Sequence, residues 1–122
     1  MATVDLTTET FDETIKGDGI VFVDYWADWC GPCRRFAPTY KAASEKNPDV
    51  TFGKVDTEAE PEIAQAANIT AIPTLMAFRD GILVFAQPGM LPATALEELI
   101  GKVRDLDMDE VRRSAENETA DQ

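Results

Sequence analysis

The seven residues Ile20–Trp26 (IVFVDYW) form a nearly unbroken apolar run that contains one charged residue, Asp24. A run of this length without alternation is typical of a β-strand buried on both faces, as in a largely parallel sheet covered by helices. Successive side chains of a strand point to opposite faces, so Asp24 shares its face with Phe22 and Trp26. The run therefore predicts a central strand and an interior carboxyl group, which must be paired or have a raised pKa.

The rest of the chain alternates helical and strand patterns around this run. The predicted helices cover a short segment that carries Phe11 and Ile15, residues 32 to about 47 with a kink at Pro38, residues 60–67, and residues 93 to about 106. The later predicted strands are 50–56, 74–78 and 82–87, and the last two flank the turn Arg79-Asp80-Gly81. The order βαβαβαββα predicts an α/β fold with a central mixed sheet, parallel at its start and antiparallel at its close, flanked by helices.

Residues 1–106 are predicted to form one domain, followed by an acidic C-terminal extension at residues 107–122. The sequence LDMDEV at residues 106–111 combines the residue types of a capping box and a hydrophobic staple. This pattern predicts a short helix over about 108–115, and a frayed end over residues 117–122.

The chain carries 23 acidic and 11 basic residues, a formal net charge of −12, and no histidine. A surface this acidic argues against nucleic acids and anionic membranes as partners, because both are polyanions. Without imidazole, proton transfer must use a carboxylate, a thiol, a lysine or water. No stretch approaches the ~18–20 apolar residues of a membrane span. The N-terminus has neither the basic residues nor the apolar run of a signal peptide, so a cytoplasmic location is predicted.

Both cysteines of the chain, Cys30 and Cys33, lie in the segment WCGPC. As a structural disulfide they would close a very short loop, for which the chain-entropy estimate is only ~1.9 kcal/mol. As half of a zinc site they would need further cysteine or histidine ligands, which only a second molecule could supply. A redox-active dithiol is the interpretation that also explains the neighbouring residues, and no metal site is predicted.

The residues around the pair suit a reactive thiol. Cys30 is predicted to lie exposed at the start of the helix, where unpaired N–H groups and the helix dipole stabilise a thiolate. Pro32 at the first helical position needs no N–H partner, and Gly31 leaves room for an approaching disulfide. Cys33 lies one turn into the helix, so we expect it to be buried and to react second.

The segment WCGPC, with Ile72-Pro73-Thr74 downstream, resembles the active site of the thioredoxin family. The resemblance covers roughly residues 3–106. It also includes the following residues: Asp24, Trp26, Trp29, Pro38, Lys54-Val55-Asp56, Gly81 and Gly89. It implies the thioredoxin fold and a protein-disulfide reductase that works through a Cys30/Cys33 dithiol–disulfide cycle in cell redox homeostasis. The pair Arg34-Arg35 makes this helix more basic than in many relatives.

The resemblance also implies the catalytic roles. Cys30 is the attacking thiol and Cys33 the resolving thiol. Asp24 is a buried general base that serves Cys33 through water, and Lys54, whose stem is predicted to be buried on its strand, is the expected partner of Asp24.

A further implication of the resemblance concerns substrate binding. Pro73 corresponds to the family's cis-proline, and the backbone of Ile72 is expected to pair with an extended substrate segment. The implied substrate surface is a flat apolar patch around Cys30, made of Trp29, Gly31, Pro32, Ile72, Pro73, Gly89 and Met90.

The resemblance implies no bound cofactor, because NADPH and FAD act through a partner thioredoxin reductase. The other implied partners are proteins with disulfides, and the chain is expected to be a monomer. Two alternatives stay open: a thioredoxin-fold binding or chaperone subunit with incidental thiols, and a thiol oxidase or isomerase. The intact WCGPC, Asp24 and Pro73 argue against the first. The missing export signal and the Gly-Pro between the cysteines argue against the second.

Overall fold

The computed structural model describes residues 3–120, with side chains to residue 116. The elements follow the predicted order βαβαβαββα, and the predicted C-terminal helix comes after them. The strands are β1 (Thr3–Asp5), β2 (Ile20–Trp26), β3 (Thr51–Asp56), β4 (Thr74–Arg79) and β5 (Ile82–Pro88). The helices are α1 (Phe11–Lys16), α2 (Gly31–Lys46), α3 (Pro61–Ala66), α4 (Ala93–Arg104) and α5 (Met108–Ala120). None of these described helices has the length and apolar character needed to cross a bilayer.

The five strands form one sheet in the order β1-β3-β2-β4-β5. Strand β3 runs parallel to β1 and β2, whereas β4 is antiparallel to β2 and β5. Strand β2 is therefore central, and all its residues except Trp26 are buried. This topology confirms the predicted mixed sheet and the central position of the apolar run.

The sheet separates two apolar clusters. On one face, Phe22 and Phe52 stack with ring centroids 5.6 Å apart, and Tyr40 of α2 packs edge-on against Phe52 at 5.3 Å. Helices α2 and α4 contribute the remaining buried residues of this face. The other face packs against α3 through Ile63 and against the apolar side of α1. Asp24 lies on the α2 face, because it has the strand parity of Phe22.

Helix α4 ends at Arg104, two residues before its predicted end. The Arg79 guanidinium donates hydrogen bonds to the carbonyls of Val103, Arg104 and Leu106, at 2.8, 2.9 and 3.0 Å. Carbonyls at a helix end lack intrahelical partners, so this side chain satisfies them and stabilises the early end. Leu106 still packs against the core beyond the helix, which explains why the apolar spacing predicted a longer one.

Helix α5 begins as predicted but runs to Ala120, beyond the expected end at residue 115. The Asp107 carboxylate accepts hydrogen bonds from the N–H groups of Asp109 and Glu110, as an N-cap does. The segment after residue 115 contains neither glycine nor proline, so no residue in it stops the helix. The helix is therefore longer than predicted, whereas the expected fraying over 117–122 stays a prediction, and residues 121–122 lie outside the described part.

Candidate active site

The two cysteines lie where the chain leaves β2 and enters α2. Cys30 is the N-cap residue of α2, with an extended backbone (φ −87°, ψ 109°). Its sulfur accepts a hydrogen bond from the backbone N–H of Cys33 at 3.2 Å. The two residues are joined by a disulfide, with their Cα atoms 5.2 Å apart. The positive end of the helix dipole therefore points at the sulfur of Cys30, which stabilises a thiolate there when the pair is reduced.

Both cysteines are almost fully buried, with exposed fractions of 4% for Cys30 and 3% for Cys33. The expectation that Cys30 is exposed is therefore wrong for the disulfide form. The loop before β4 covers this sulfur, since the carbonyl oxygen of Ile72 lies 3.6 Å from Cys30 Sγ. Cys30 differs from Cys33 in its position at the helix cap and beside this loop, and not in exposure.

Pro73 follows a cis peptide bond from Ile72, as the family resemblance implied. The carbonyl oxygen of Pro73 accepts a hydrogen bond from the N–H of Gly89 at 2.7 Å. Gly89 has φ +96°, a region that favours glycine over residues with a side chain. This bond holds the end of β5 next to the cis-proline loop.

Trp29 and Met90 are the large exposed apolar residues of the predicted substrate surface, with exposed fractions of 66% and 40%. Trp29 and Ile72 line a cavity of about 390 Å³. The other lining residues, which the sequence analysis missed, are Thr57, Ala64, Ile69, Thr70 and Ala71. Met90 is not among the residues that line this cavity. Residues 69–71 directly precede Ile72 in the sequence, and this is the signal that could have indicated their place beside it.

Asp24 is fully buried in β2, as the sequence predicted. Neither of its carboxylate oxygens has a hydrogen-bond partner within the described part of the chain. Burial raises the pKa of Asp24 from 3.8 to about 7, although the charge of Lys54 acts in the opposite direction. A carboxyl group with this pKa is present in both protonation states near neutral pH, as proton transfer requires.

Lys54 lies directly opposite Asp24, in register on the neighbouring strand β3. Its ammonium nitrogen lies 4.7 Å from the ring centroid of Trp26, in a cation–π contact. The ion pairs found in the described residues do not include one between Lys54 and Asp24. Lys54 is therefore an electrostatic partner of Asp24, as its effect on the pKa shows, but not a salt-bridge partner.

Asp24 and Cys33 both face the interface between the sheet and α2. Cys33, Phe36 and Tyr40 are buried at spacings of three and four residues, which places them on one face of the helix. The pKa of Tyr40 is well above its usual value, first because of burial and second because of the charge of Asp24. The carboxyl group is thus within electrostatic reach of the helix face that carries the second cysteine.

In the described residues, no group of three or more histidine, cysteine, aspartate or glutamate side chains is placed to hold a metal ion. The chemistry that this site supports comes from a cysteine pair at a helix N-terminus, a buried carboxyl group of raised pKa and a cis-proline loop with an apolar cavity beside it.

Comparisons with known proteins also indicate a redox-active cysteine pair. The thioredoxin family model matches residues 2–102. A Streptomyces coelicolor protein named "Putative thioredoxin 2" is 56% identical over 98% of this chain and 89% of its own length. Thioredoxin of Alicyclobacillus acidocaldarius is 40% identical over 84% of this chain and 98% of its own. The structure of Plasmodium falciparum thioredoxin has a TM-score of 0.76 and 36% identity, covering 82% of this chain and 98% of that one.

The family model spans most of the chain, from β1 into α4, and includes both cysteines. Because the family model matches, the relatives are 40% and 56% identical, and a disulfide joins the cysteine pair at the start of α2, the chain belongs to the thioredoxin family of thiol–disulfide oxidoreductases.

Proposed function

We propose that Cys30 is the attacking thiol and Cys33 the resolving thiol in the protein-disulfide reductase activity of this family member. The observation that carries the assignment is the position of Cys30: its sulfur caps α2 and lies 3.6 Å from the carbonyl oxygen of Ile72, beside the cis-proline loop. A substrate segment held along this loop would bring its disulfide to the sulfur of Cys30 rather than to Cys33, which lies one turn into the helix.

In the first step, the thiolate of Cys30 attacks one sulfur of the substrate disulfide. The new bond joins Cys30 to that sulfur, and the second substrate sulfur leaves as a thiolate, which takes a proton from water. The N–H of Cys33 and the dipole of α2 favour the thiolate form of Cys30 before the attack.

In the second step, the thiolate of Cys33 attacks the sulfur of Cys30. The Cys30–Cys33 disulfide forms, and the first substrate sulfur is released as a thiol after protonation. Two electrons have then passed from the dithiol to the substrate disulfide.

Cys33 must lose a proton before it attacks, and we assign the acceptor role to Asp24, acting through water. The pKa of Asp24 near 7, its unpartnered oxygens and its location at the α2 face support this role. Lys54 acts as a positioning residue, since its charge opposes the effect of burial and keeps the pKa of Asp24 from rising further.

The substrate surface that we propose is the apolar patch predicted from the sequence, extended by the cavity beside Trp29. Trp29 and Met90 supply exposed apolar area, and we assign the pairing with an extended substrate segment to the backbone of Ile72, whose carbonyl oxygen lies beside Cys30. Gly31, Pro32 and Gly89 supply close approach without bulky side chains.

Thioredoxins need no bound cofactor, and disulfide proteins and a reductase are the partners that the family implies. We further propose that NADPH and FAD serve only through that reductase, and that the protein acts as a cytoplasmic monomer. A second candidate, a binding or chaperone subunit with incidental thiols, gains no support from the site, because binding alone requires neither a cysteine pair at a helix cap nor a buried carboxyl group of raised pKa.

The test is reduction of a model protein disulfide by the pre-reduced protein, with no reductase required for a single turnover. We expect each molecule of the wild type to reduce one substrate disulfide, and Cys30→Ser to reduce none. Ser44→Ala, which removes a buried hydroxyl elsewhere on α2, is the matched control and should retain the reaction. Equal conversion by Cys30→Ser and the wild type would contradict the assignment.

A further inference from the structure

One cavity of this acidic protein is lined by cations. It has a volume of about 530 Å³ and lies between α2 and the edge of the sheet. Its lining residues are Thr3, Arg34, Ala37, Pro38, Lys41 and Lys54. Three of these side chains are positively charged and none is acidic, although the chain carries a net charge of −12. We call this cavity the cationic cleft.

The cationic cleft adjoins the redox site. Arg34, Ala37 and Lys41 lie on one face of α2, at helical spacing. Arg34 is four residues after Cys30, a rise of about 6 Å along the helix. On the sheet side, Lys54 is in register with Asp24 and lies over Trp26. A protein whose disulfide reaches Cys30 would therefore pass its flanking residues close to these charges.

None of the cations of the cleft forms an ion pair with a described residue, although the charge of Lys54 acts on the buried Asp24. The ion pairs of the described residues involve Arg104 and Arg112, and none involves a cation of the cleft. Arg34 donates a hydrogen bond to the main-chain carbonyl of Asp28, which orients the guanidinium without cancelling its charge. Two acids are in register with Lys54, Asp24 on β2 and Asp5 on the edge strand β1, and neither forms an ion pair with it.

We propose that the cationic cleft binds an acidic segment that flanks the disulfide of a protein substrate, so that acidic sequence beside the disulfide selects substrates. The inference rests on the proposed function, because it places the segment next to a disulfide held at Cys30. Arginine and lysine are the natural partners of carboxylates, and the arginine fork binds them in a defined geometry.

The charges of the cationic cleft and the net charge of the whole molecule predict opposite preferences for substrate charge. The net charge of −12 attracts basic substrates over long distances. The cleft acts within about one Debye length, ~10 Å at ordinary salt, and favours acidic residues close to the disulfide. A substrate with glutamates next to its disulfide therefore distinguishes the local effect from the general one.

The experiment uses two synthetic disulfide peptides that differ only in their flanks, a run of glutamates or a run of lysines on each side of the disulfide. The pre-reduced full-length protein is mixed with each peptide, and tryptophan emission reports the second-order rate constant. We expect the glutamate peptide to react about threefold faster or more at ~0.15 M salt, where charges more than ~10 Å away are largely screened, and we expect ~1 M salt to remove the difference.

Lys41→Glu should abolish or invert this preference, and Lys41→Gln should weaken it. The matched control is Lys46→Glu, which makes the same charge change at an exposed position near the end of α2, outside the cleft. Asp5→Asn should strengthen the preference. A faster reaction with the lysine peptide, or an equal effect of Lys41→Glu and Lys46→Glu, would overturn the proposal.

A titration with peptides whose cysteines are replaced by serine measures binding of the same flanks without any reaction. It therefore tests binding in the cationic cleft separately from disulfide reduction. Glutamate binding that depends on Lys41 supports the cleft even if neither disulfide is reduced, in which case the proposed function fails alone. Reduction of both disulfides with no glutamate binding overturns the cleft and leaves the proposed function standing.

Discussion

Asp24 and Lys54 lie opposite each other on β2 and β3, yet the ammonium group of Lys54 lies over the ring of Trp26, 4.7 Å from its centroid. The carboxyl group is left buried without a hydrogen-bond partner in the described chain, and burial raises its pKa to about 7. A group arranged in this way costs stability when it is ionised, which proteins tolerate mainly at functional sites.

The first prediction is the pH dependence of stability that Asp24 causes. Its pKa is 3.8 in the unfolded reference and about 7 in the folded protein, so between these values the native state holds the extra proton. The free energy of unfolding therefore falls as pH rises through this range, by a few kcal/mol at most, at ~1.4 kcal/mol per pH unit. Urea unfolding should show this slope in the wild type and lose it in Asp24→Asn.

Above pH 7, Asp24→Asn should consequently be more stable than the wild type, because the amide carries no charge to bury. The control is Asp18→Asn, which changes an exposed aspartate in the turn before β2. A destabilised Asp24→Asn at alkaline pH would show that Asp24 is an ordinary structural partner.

The second prediction concerns the reaction of the same variant. Asp24→Asn should slow release of reduced substrate by ~10-fold or more, because Cys33 loses its proton acceptor. Formation of the mixed disulfide by Cys30 should be much less affected. Rapid-mixing kinetics that resolve the two steps provide the measurement, and an unchanged second step would remove Asp24 from the mechanism.

The third prediction tests how closely β3 packs. A Cβ atom added at Gly53 would lie 2.5 Å from Cδ1 and 3.0 Å from Cγ of the buried Leu6. Gly53→Ala should therefore lower the free energy of unfolding by about 1–3 kcal/mol. Gly101→Ala is the matched control, because a Cβ atom there meets no atom within 4 Å apart from the adjoining backbone of α4, and it should stabilise the protein by roughly 0.5–1 kcal/mol.

The fourth prediction concerns α5. Met108 is buried, and Arg112 pairs with Asp80 at 3.6 Å, so truncation after Asp107 should lower the melting temperature. Between Leu106 and residue 116, the last with a described side chain, no residue lines the cavity beside Trp29, so disulfide reduction should stay within about twofold of the wild type. A tenfold loss of activity in a folded truncation, which corresponds to ~1.4 kcal/mol, would mean that α5 takes part in substrate or reductase binding.

The central strand and its buried carboxyl group were predictable from the sequence, because the apolar run around Asp24 is a local signal. The cis peptide bond before Pro73 was expected from the family resemblance. The burial of Cys30 was not predictable, since it depends on a loop that returns from distant sequence to within 3.6 Å of the sulfur.

The position of Lys54 shows a second limit. The sequence analysis expects Lys54 to be the partner of Asp24, and the two residues do lie opposite each other on neighbouring strands. Its long flexible stem can reach either a carboxylate or an aromatic ring, and the choice of Trp26 is decided by packing that no local pattern encodes. The roles of Cys30, Cys33, Asp24 and Lys54 in catalysis stay predictions.

The most direct test of the central claim, that Cys30 attacks and Cys33 resolves, is trapping of the mixed disulfide. Cys33→Ser and Cys30→Ser are each reduced, mixed with a disulfide peptide and analysed by intact-mass spectrometry under non-reducing conditions. The account predicts a stable peptide adduct on Cys30 in Cys33→Ser, and little adduct on Cys33 in Cys30→Ser. Equal adducts in both variants, or an adduct on Cys33 alone, would contradict it.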